Sequence, residues 1–329
     1  KRTTGIQNIS GSIEENGMDG SNPFTKIKWN KYKNPFRVKL FIFCMLAIPV
    51  FCFLVYGVYA NFGGLIMSFE GLSREQEKVI PVGFANYKKF FSLFQRFDYG
   101  RMIGVSFGYF AVVMFISLPI SIAVAFFLYK KVPFGKLIVI VLFLPNIIPM
   151  SLLAEYYRQL FDPSNGVLYK IFNVIFGFTS ETAPSYLSDP KYANQMLYLY
   201  TVWFGFGYNS ILIWGAMTRI PEELVESAQL DGANLGVEFF RITIPVIWPT
   251  LSMIFVLTCM VPFTVYMQPM IIAFNGQAQT TTISLLAIQQ LTVDPYYSAA
   301  ISVLIACVSI PSVLIVRKLL DRVFPVVEI

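Results

Sequence analysis

The chain has 329 residues, of which 56% are hydrophobic and 13% charged, and its mean hydropathy is +0.61. Soluble domains carry about 25% charged residues, so the composition excludes an ordinary soluble protein and points to a bundle of membrane helices. The net charge of +6 reads as an asymmetry between membrane faces rather than a nucleic-acid surface, and the lack of histidine removes histidine catalysis, metal sites and proton relays.

Residues 1–36 are rich in Gly, Ser, Asn and charge and are expected to form a disordered tail. Six apolar runs follow, at 40–60, 102–129, 137–154, 196–217, 246–273 and 296–316. Each is close to the roughly 20 residues a helix needs to cross a bilayer, and none contains Asp, Glu, Lys or Arg. The third is the shortest and carries Pro145 and Pro149. The first is too long for a cleavable signal peptide. Residues 37–322 thus read as one all-α, six-span domain, with 323–329 as a short tail. Residues 166–178 are too few to span and read as an interfacial helix. Cys44, Cys52, Cys259 and Cys307 fall inside apolar runs without metal spacing and are expected to be buried free thiols.

Orientation follows from the basic residues. The segments 1–39, 130–136, 218–245 and 317–329 would share one face and hold 16 of the 25 Lys and Arg. Lys130 and Lys131 directly follow the second run, and Arg317 and Lys318 the sixth. Both termini and the 218–245 loop are therefore expected on the cytoplasmic side.

That loop is the most informative stretch. Pro221 suits a helix start, and Glu222 and Glu223 complement the dipole there. Leu224, Val225 and Ala228 make a narrow apolar stripe. Asp231–Gly232 predicts a sharp turn, Asn234 a cap on a second helix, and Pro245 the entry to the fifth span. The whole reads as a helix–turn–helix elbow with an acidic and an aromatic end.

Glu226, Ser227, Ala228, then Gly232, then Ile242, Ile244 and Pro245 fall at the spacing of the signature loop of binding-protein-dependent ABC importer permeases. The chain resembles that family, with Ser227 and Ile244 departing from its usual Ala and Leu. Leu230–Ala233 and the Phe239, Pro245, Pro249 continuation resemble the carbohydrate branch, and residues 82–91 and 143–149 resemble the first permease of maltose-type pairs. The resemblance implies a type-I ABC importer permease core in a prokaryotic cell membrane. It implies a second related permease, two ATPase subunits and an extracytoplasmic solute-binding protein as partners. By motif position, Glu226, Ser227, Ala228, Asp231, Gly232, Ala233 and Pro245 would form the ATPase-coupling element, with Glu226 meeting a basic group.

The chain has no phosphate loop, since Gly135–Lys136 lacks the leading glycine spacing and the hydroxyl residue. Its apolar runs also lack the carboxylates of ion-coupled carriers. It is therefore expected to be no enzyme, to bind no cofactor or metal, and to borrow ATP and Mg from the partner ATPase. Neutral spans favour an oligosaccharide or other neutral sugar, whose hydroxyls and ring faces suit polar and aromatic side chains. Thr201, Phe204, Gly205 and Tyr208 share a helical face, with Asn209 beside it; Thr258, Pro262 and Tyr266 share another, with Gln268 beyond. These are the candidate path residues, with Gln289 secondary, and plain helix packing is the competing explanation for them. The alternatives are another importer branch (polyamine, phosphate or similar) and a secondary carrier. A membrane-embedded enzyme is disfavoured by the scattered carboxylates.

Overall fold

The computed structural model describes residues 35–73, 78–96, 98–179, 182–277 and 279–323. Residues 1–34 of the expected tail and the last six residues lie outside them, while 35 and 36 are already helical. The chain divides into two compact units, Lys1–Asn61 and Phe62–Ile329. The described part of the first is helical and belongs to α1 (Phe36–Met67), an apolar helix of 32 residues.

In the second unit, residues 62–67 of α1 are followed by an antiparallel hairpin, β1 (Glu70–Ser73) and β2 (Lys78–Pro81), in which Gly71 pairs with Ile80. Then come α2 (Ala85–Arg96), α3 (Tyr99–Tyr129), α4 (Gly135–Ile147), α5 (Met150–Leu160), α6 (Val167–Phe176) and α7 (Ala193–Met217). The elbow arms are α8 (Glu222–Leu230) and α9 (residues 235–246). They are followed by α10 (Trp248–Thr264), α11 (Met267–Ile271), α12 (Ile283–Leu291) and α13 (Pro295–Val323).

Among the described residues, α1, α3, the α10–α11 stretch and α13 are long and apolar enough to cross a membrane. The expected span at 137–154 is not one straight helix: α4 and α5 meet at 99° and make a fifth crossing only if taken together. The break follows from the prolines, because a residue before proline avoids helical angles. Ile148, just before Pro149, is extended at φ −81°, ψ 134°. At the fourth expected span, α7 has 25 residues but a less apolar composition. It can carry Asn and Tyr because protein covers much of it. Met196, Leu197, Tyr200, Ser210, Ile213 and Met217 are buried along it, against α3 and α4.

Two π turns share a cause. Leu118 N–H bonds back five residues to the Val113 carbonyl just before Pro119, and Ile244 N–H to the Phe239 carbonyl just before Pro245. A proline ring would strike the carbonyl four residues back in a regular helix; the wider turn moves it aside. Between Pro262 and Pro269, whose rings disfavour a continuous helix, the helix breaks at Val265, which is extended. The freed Val265 carbonyl accepts the Thr282 hydroxyl at 2.6 Å, and that hydroxyl oxygen in turn caps α12 by accepting Leu285 N–H at 3.2 Å. A polar backbone group at membrane depth is thereby satisfied.

Three apolar clusters hold the second unit together. One, around Tyr109, Tyr157, Phe161, Leu197, Tyr200 and Ile272, joins α3, α5, α7 and the α11 end. A second, around Leu118, Ile213, Met217, Ile220 and Leu251, lies toward the elbow. A third, around Phe90, Tyr99, Ile283, Tyr297 and Ile301, ties α2 and α12 to the start of α13. The cysteines are free, but Cys44, Cys52 and Cys307 are exposed and Cys259 is half-buried. Apolar runs also supply the outward faces of membrane helices, so falling in such a run does not bury a thiol in its own chain.

Candidate functional site

The elbow is a pair of capped helix ends. Pro221 is extended and starts α8, with Glu222 and Glu223 in the first turn. At the far end Ala233 N–H reaches the Ala228 carbonyl at 2.9 Å, and Gly232 N–H the Gln229 carbonyl at 3.0 Å. This double bond pattern is the Schellman cap, which requires a left-handed residue; Gly232 supplies it with φ +83°. Two residues on, the Asn234 side chain accepts Val237 N–H at 2.9 Å and starts α9. The expected turn and cap are therefore both present.

No residue of α8 is buried. Glu226, Ser227 and Asp231 are exposed, while Ala228 and Ala233 are half-buried. The tip is apolar: Leu230 is 90% exposed and Leu235 64%. Half-buried Pro245 lies at the other end of α9, beyond its π turn. Beside α8 runs a groove of about 570 Å³, lined by Glu222, Val225, Glu226, Gln229, Trp214 and Lys131 among others.

What fixes the elbow to the rest of the unit was not singled out from the sequence. Glu238 in α9 is 2% exposed, and its carboxylate pairs with the Lys130 ammonium at the end of α3. The Phe126 ring meets Phe239 edge-on at 4.8 Å, and Lys130 lies 5.7 Å from the Phe126 ring centre. Lys131 approaches Glu222 at 3.8 Å, but both are more than 80% exposed, so this contact contributes little. Lys130 had read only as a topology signal. The available clue to a buried acid was Glu238 itself, set between Val237 and Phe239.

The candidate path residues divide by burial. Thr201 is buried and its hydroxyl bonds within α7 to the Leu197 carbonyl; buried Thr258 does the same in α10 toward Ile254. Neither hydroxyl is left over. Phe204 stacks on Tyr200 at 6.0 Å and packs against the first apolar cluster, as does Val261 of α10. Gly205 faces Ser117, whose hydroxyl lies 3.7 Å from where a Cβ would stand. Asn209 is half-buried and Tyr208 is 53% exposed. Tyr266 and Gln268 are half-buried at the α10–α11 break. Gln289 donates to the Asn275 carbonyl at 2.7 Å.

A polar cluster gathers where α2 meets α13. Lys89 pairs with Asp294 at 2.8 Å and lies 4.1 Å from the centre of the Tyr297 ring, whose hydroxyl is 3.2 Å from that of Tyr99. Partial burial of Asp294 works against its ionisation, but hydrogen bonds from Lys89 and the Tyr297 N–H prevail and hold its carboxyl below the usual range. At the α5–α6 turn, backbone N–H groups of Ser164 and Asn165 hold the Asp162 carboxyl low as well. Among the described residues, no group of three or more metal-ligating side chains is found.

Comparison with known proteins places this geometry. The maltose/maltodextrin transport system permease protein MalF of Vibrio vulnificus (strain YJ016) is 36% identical over 106 residues, which is 32% of this chain and 20% of that protein. The MalF protein of Escherichia coli (strain K12) is 28% identical over 137 residues, 41% of this chain and 26% of its own length. The matched stretch is thus about a fifth to a quarter of these relatives. A bacterial ABC transporter involved in import of the acidic polysaccharide alginate has a chain of the same fold. It has a TM-score of 0.69 at 23% identity, over 87% of this chain and 96% of that one. The alginate transporter in complex with an alginate pentasaccharide-bound periplasmic protein gives 0.71 at 21%, over 92% and 100%. A family model described as binding-protein-dependent transport system inner membrane component matches residues 106–325, two thirds of the sequence. The chain belongs to that family of inner-membrane transport components.

Proposed function

We propose that the chain is the transmembrane permease subunit of an ATP-driven ABC importer, and that it passes an oligosaccharide or other neutral sugar compound into the cytoplasm by alternating access. The observation that carries this reading is the elbow. A Schellman-capped turn holds out an apolar tip, with Leu230 90% exposed, beside exposed Glu226. An apolar tip that the chain leaves uncovered fits a cleft on a separate ATPase, which would bind the ATP and Mg. A second related permease, two ATPase copies and an extracytoplasmic binding protein complete the assembly. Six spans with both termini and the elbow in the cytoplasm fit this arrangement, with the bent α4–α5 pair and α7 as two of the six.

The sugar assignment draws support from relatives whose names give maltodextrins and alginate as their solutes. The alginate case is acidic, whereas the candidate path side chains here are neutral, which favours an uncharged saccharide. Tyr208, Asn209, Tyr266 and Gln268 are the path residues with side chains still open to a solute; Thr201, Phe204, Gly205 and Thr258 would shape the wall.

The test is to tag the chain, extract it gently from its membrane and identify what accompanies it. A second permease and an ATPase in near-equal amounts are expected; a chain that emerges alone and transports in liposomes without ATP would be a carrier instead. Within the intact complex, Glu226→Lys is expected to abolish transport-coupled ATP hydrolysis. Removing one partner of a buried charge contact costs about 2–5 kcal/mol, and reversal adds repulsion to that loss. Normal transport by the variant would remove Glu226 from the coupling role.

A further inference from the structure

We infer that Lys130 and Glu238 are positioning residues: the pair of half-buried Lys130 with buried Glu238 clamps the elbow to the end of α3, so that a push on the elbow turns α3 rather than flexing the loop. The inference rests on the reading that the elbow receives a push from an ATPase.

Apart from this pair, the elbow is held by apolar contacts, with half-buried Val225 and Ile244 packed against the second cluster, and such contacts do not fix one register. α8 has no buried residue, the Lys131–Glu222 contact is exposed at 3.8 Å, and α9 is interrupted by a π turn. Within that turn, however, Glu238 is 2% exposed and Lys130 is 24% exposed. The clamp joins two helix ends. Lys130 closes α3, its N–H bonding to the Phe126 carbonyl at 3.0 Å, and Glu238 N–H bonds to the Asn234 carbonyl at 2.9 Å one turn past the elbow's cap. Phe126 and Phe239 pack edge-to-face beside the pair.

A buried charge pair is a poor way to gain stability, because desolvation offsets its attraction. It is a good way to specify one geometry, since any slip of α9 along α3 leaves the buried Glu238 carboxylate without its partner. The clamp therefore has the properties of a register device. It sits at the corner where the elbow meets α3, and α3 packs along α7, which holds half of the candidate path.

The test uses spin labels on a chain whose four cysteines are replaced by serine, placed at exposed Pro133 and Arg241 and measured in lipid nanodiscs. The paired chain is expected to give one narrow distance distribution, the same without nucleotide and in the complex trapped with ATP and vanadate. Lys130→Met, Glu238→Gln and the two combined are each expected to broaden it, and the exchange Lys130→Glu with Glu238→Lys to restore it. The combined neutral variant decides the matter. If it keeps the narrow distribution, the pair only neutralises a buried charge and the clamp is wrong.

In complexes that retain their ATPase, the broadening variants are expected to lose stimulation of ATP hydrolysis by the co-purified binding protein about fivefold or more, the usual scale of coupling between sites. Unchanged stimulation would overturn the transmission role. The distances on the chain alone do not depend on any ATPase, so a chain that brings no ATPase with it would sink the elbow's function and leave the clamp's geometry to stand or fall by itself.

Discussion

At the residue scale, the position that bears the most is Gly232. Its φ of +83° is what lets α8 end in a double-bonded cap, and an L side chain there costs roughly 1–2 kcal/mol. Open space surrounds it, with nothing within 4 Å of where a Cβ would stand, so the cost is conformational alone. Gly232→Ala is therefore expected to speed amide exchange at positions 232 and 233 by about fivefold to thirtyfold, read by hydrogen–deuterium exchange, with no change elsewhere. Both Gly232 and the Asn234 cap were legible in the sequence, because turn and cap chemistry is local and depends on one side chain. Glu238 was not legible as a clamp. Its partner lies more than a hundred residues away, and no local pattern records which buried acid meets which base.

At the element scale, hydropathy placed the long apolar helices but not their internal breaks. Composition averages over a run, whereas α4 and α5 turn through 99° at a single proline-flanked residue. The hairpin β1–β2 and helices α2 and α12 went unread because they are short and their strength comes from packing against α13. Helix contacts that depend on small residues are also invisible to hydropathy. A Cβ on Gly207 of α7 would stand 2.9 Å from the Leu142 carbonyl carbon of α4, a clash with backbone that neither helix can relieve by a rotamer change. Gly207→Ala is expected to cost about 1–3 kcal/mol, the range for overpacking a tight interface, measured by thermal denaturation in detergent. Gly215→Ala, in the same helix with nothing within 4 Å, is the matched control and should be near neutral.

At the scale of the whole molecule, distant segments are tied by a few polar contacts set in apolar clusters. Lys89 and Asp294 are 205 residues apart in sequence and join α2 to the start of α13. The carboxyl of Asp294 is held below its ordinary range, so its folded-state pKa is lower than its unfolded one. Its contribution is then fully present above the unfolded value of about 3.9 and fades as pH falls through the folded value. Asp294→Asn is expected to destabilise the chain at pH 7 by about 0.5 kcal/mol, as for a partly exposed ion pair. The difference between the two proteins should vanish well below a pH of about 3.9. Melting curves of both at the two pH values check this; a difference that persists in acid would mean that geometry rather than charge makes the contact.

The π turn in α3 has one more consequence. A bulge of this kind can in principle creep along a helix like a wrinkle in a carpet, each step trading one hydrogen bond for the next. The trade needs an N–H donor at every step, and Pro119 offers none. The wrinkle is therefore nailed down on its forward side. The half of α3 that ends at Lys130 keeps its regular hydrogen bonding free of the bulge, which stays on the side of Tyr109 and the first apolar cluster.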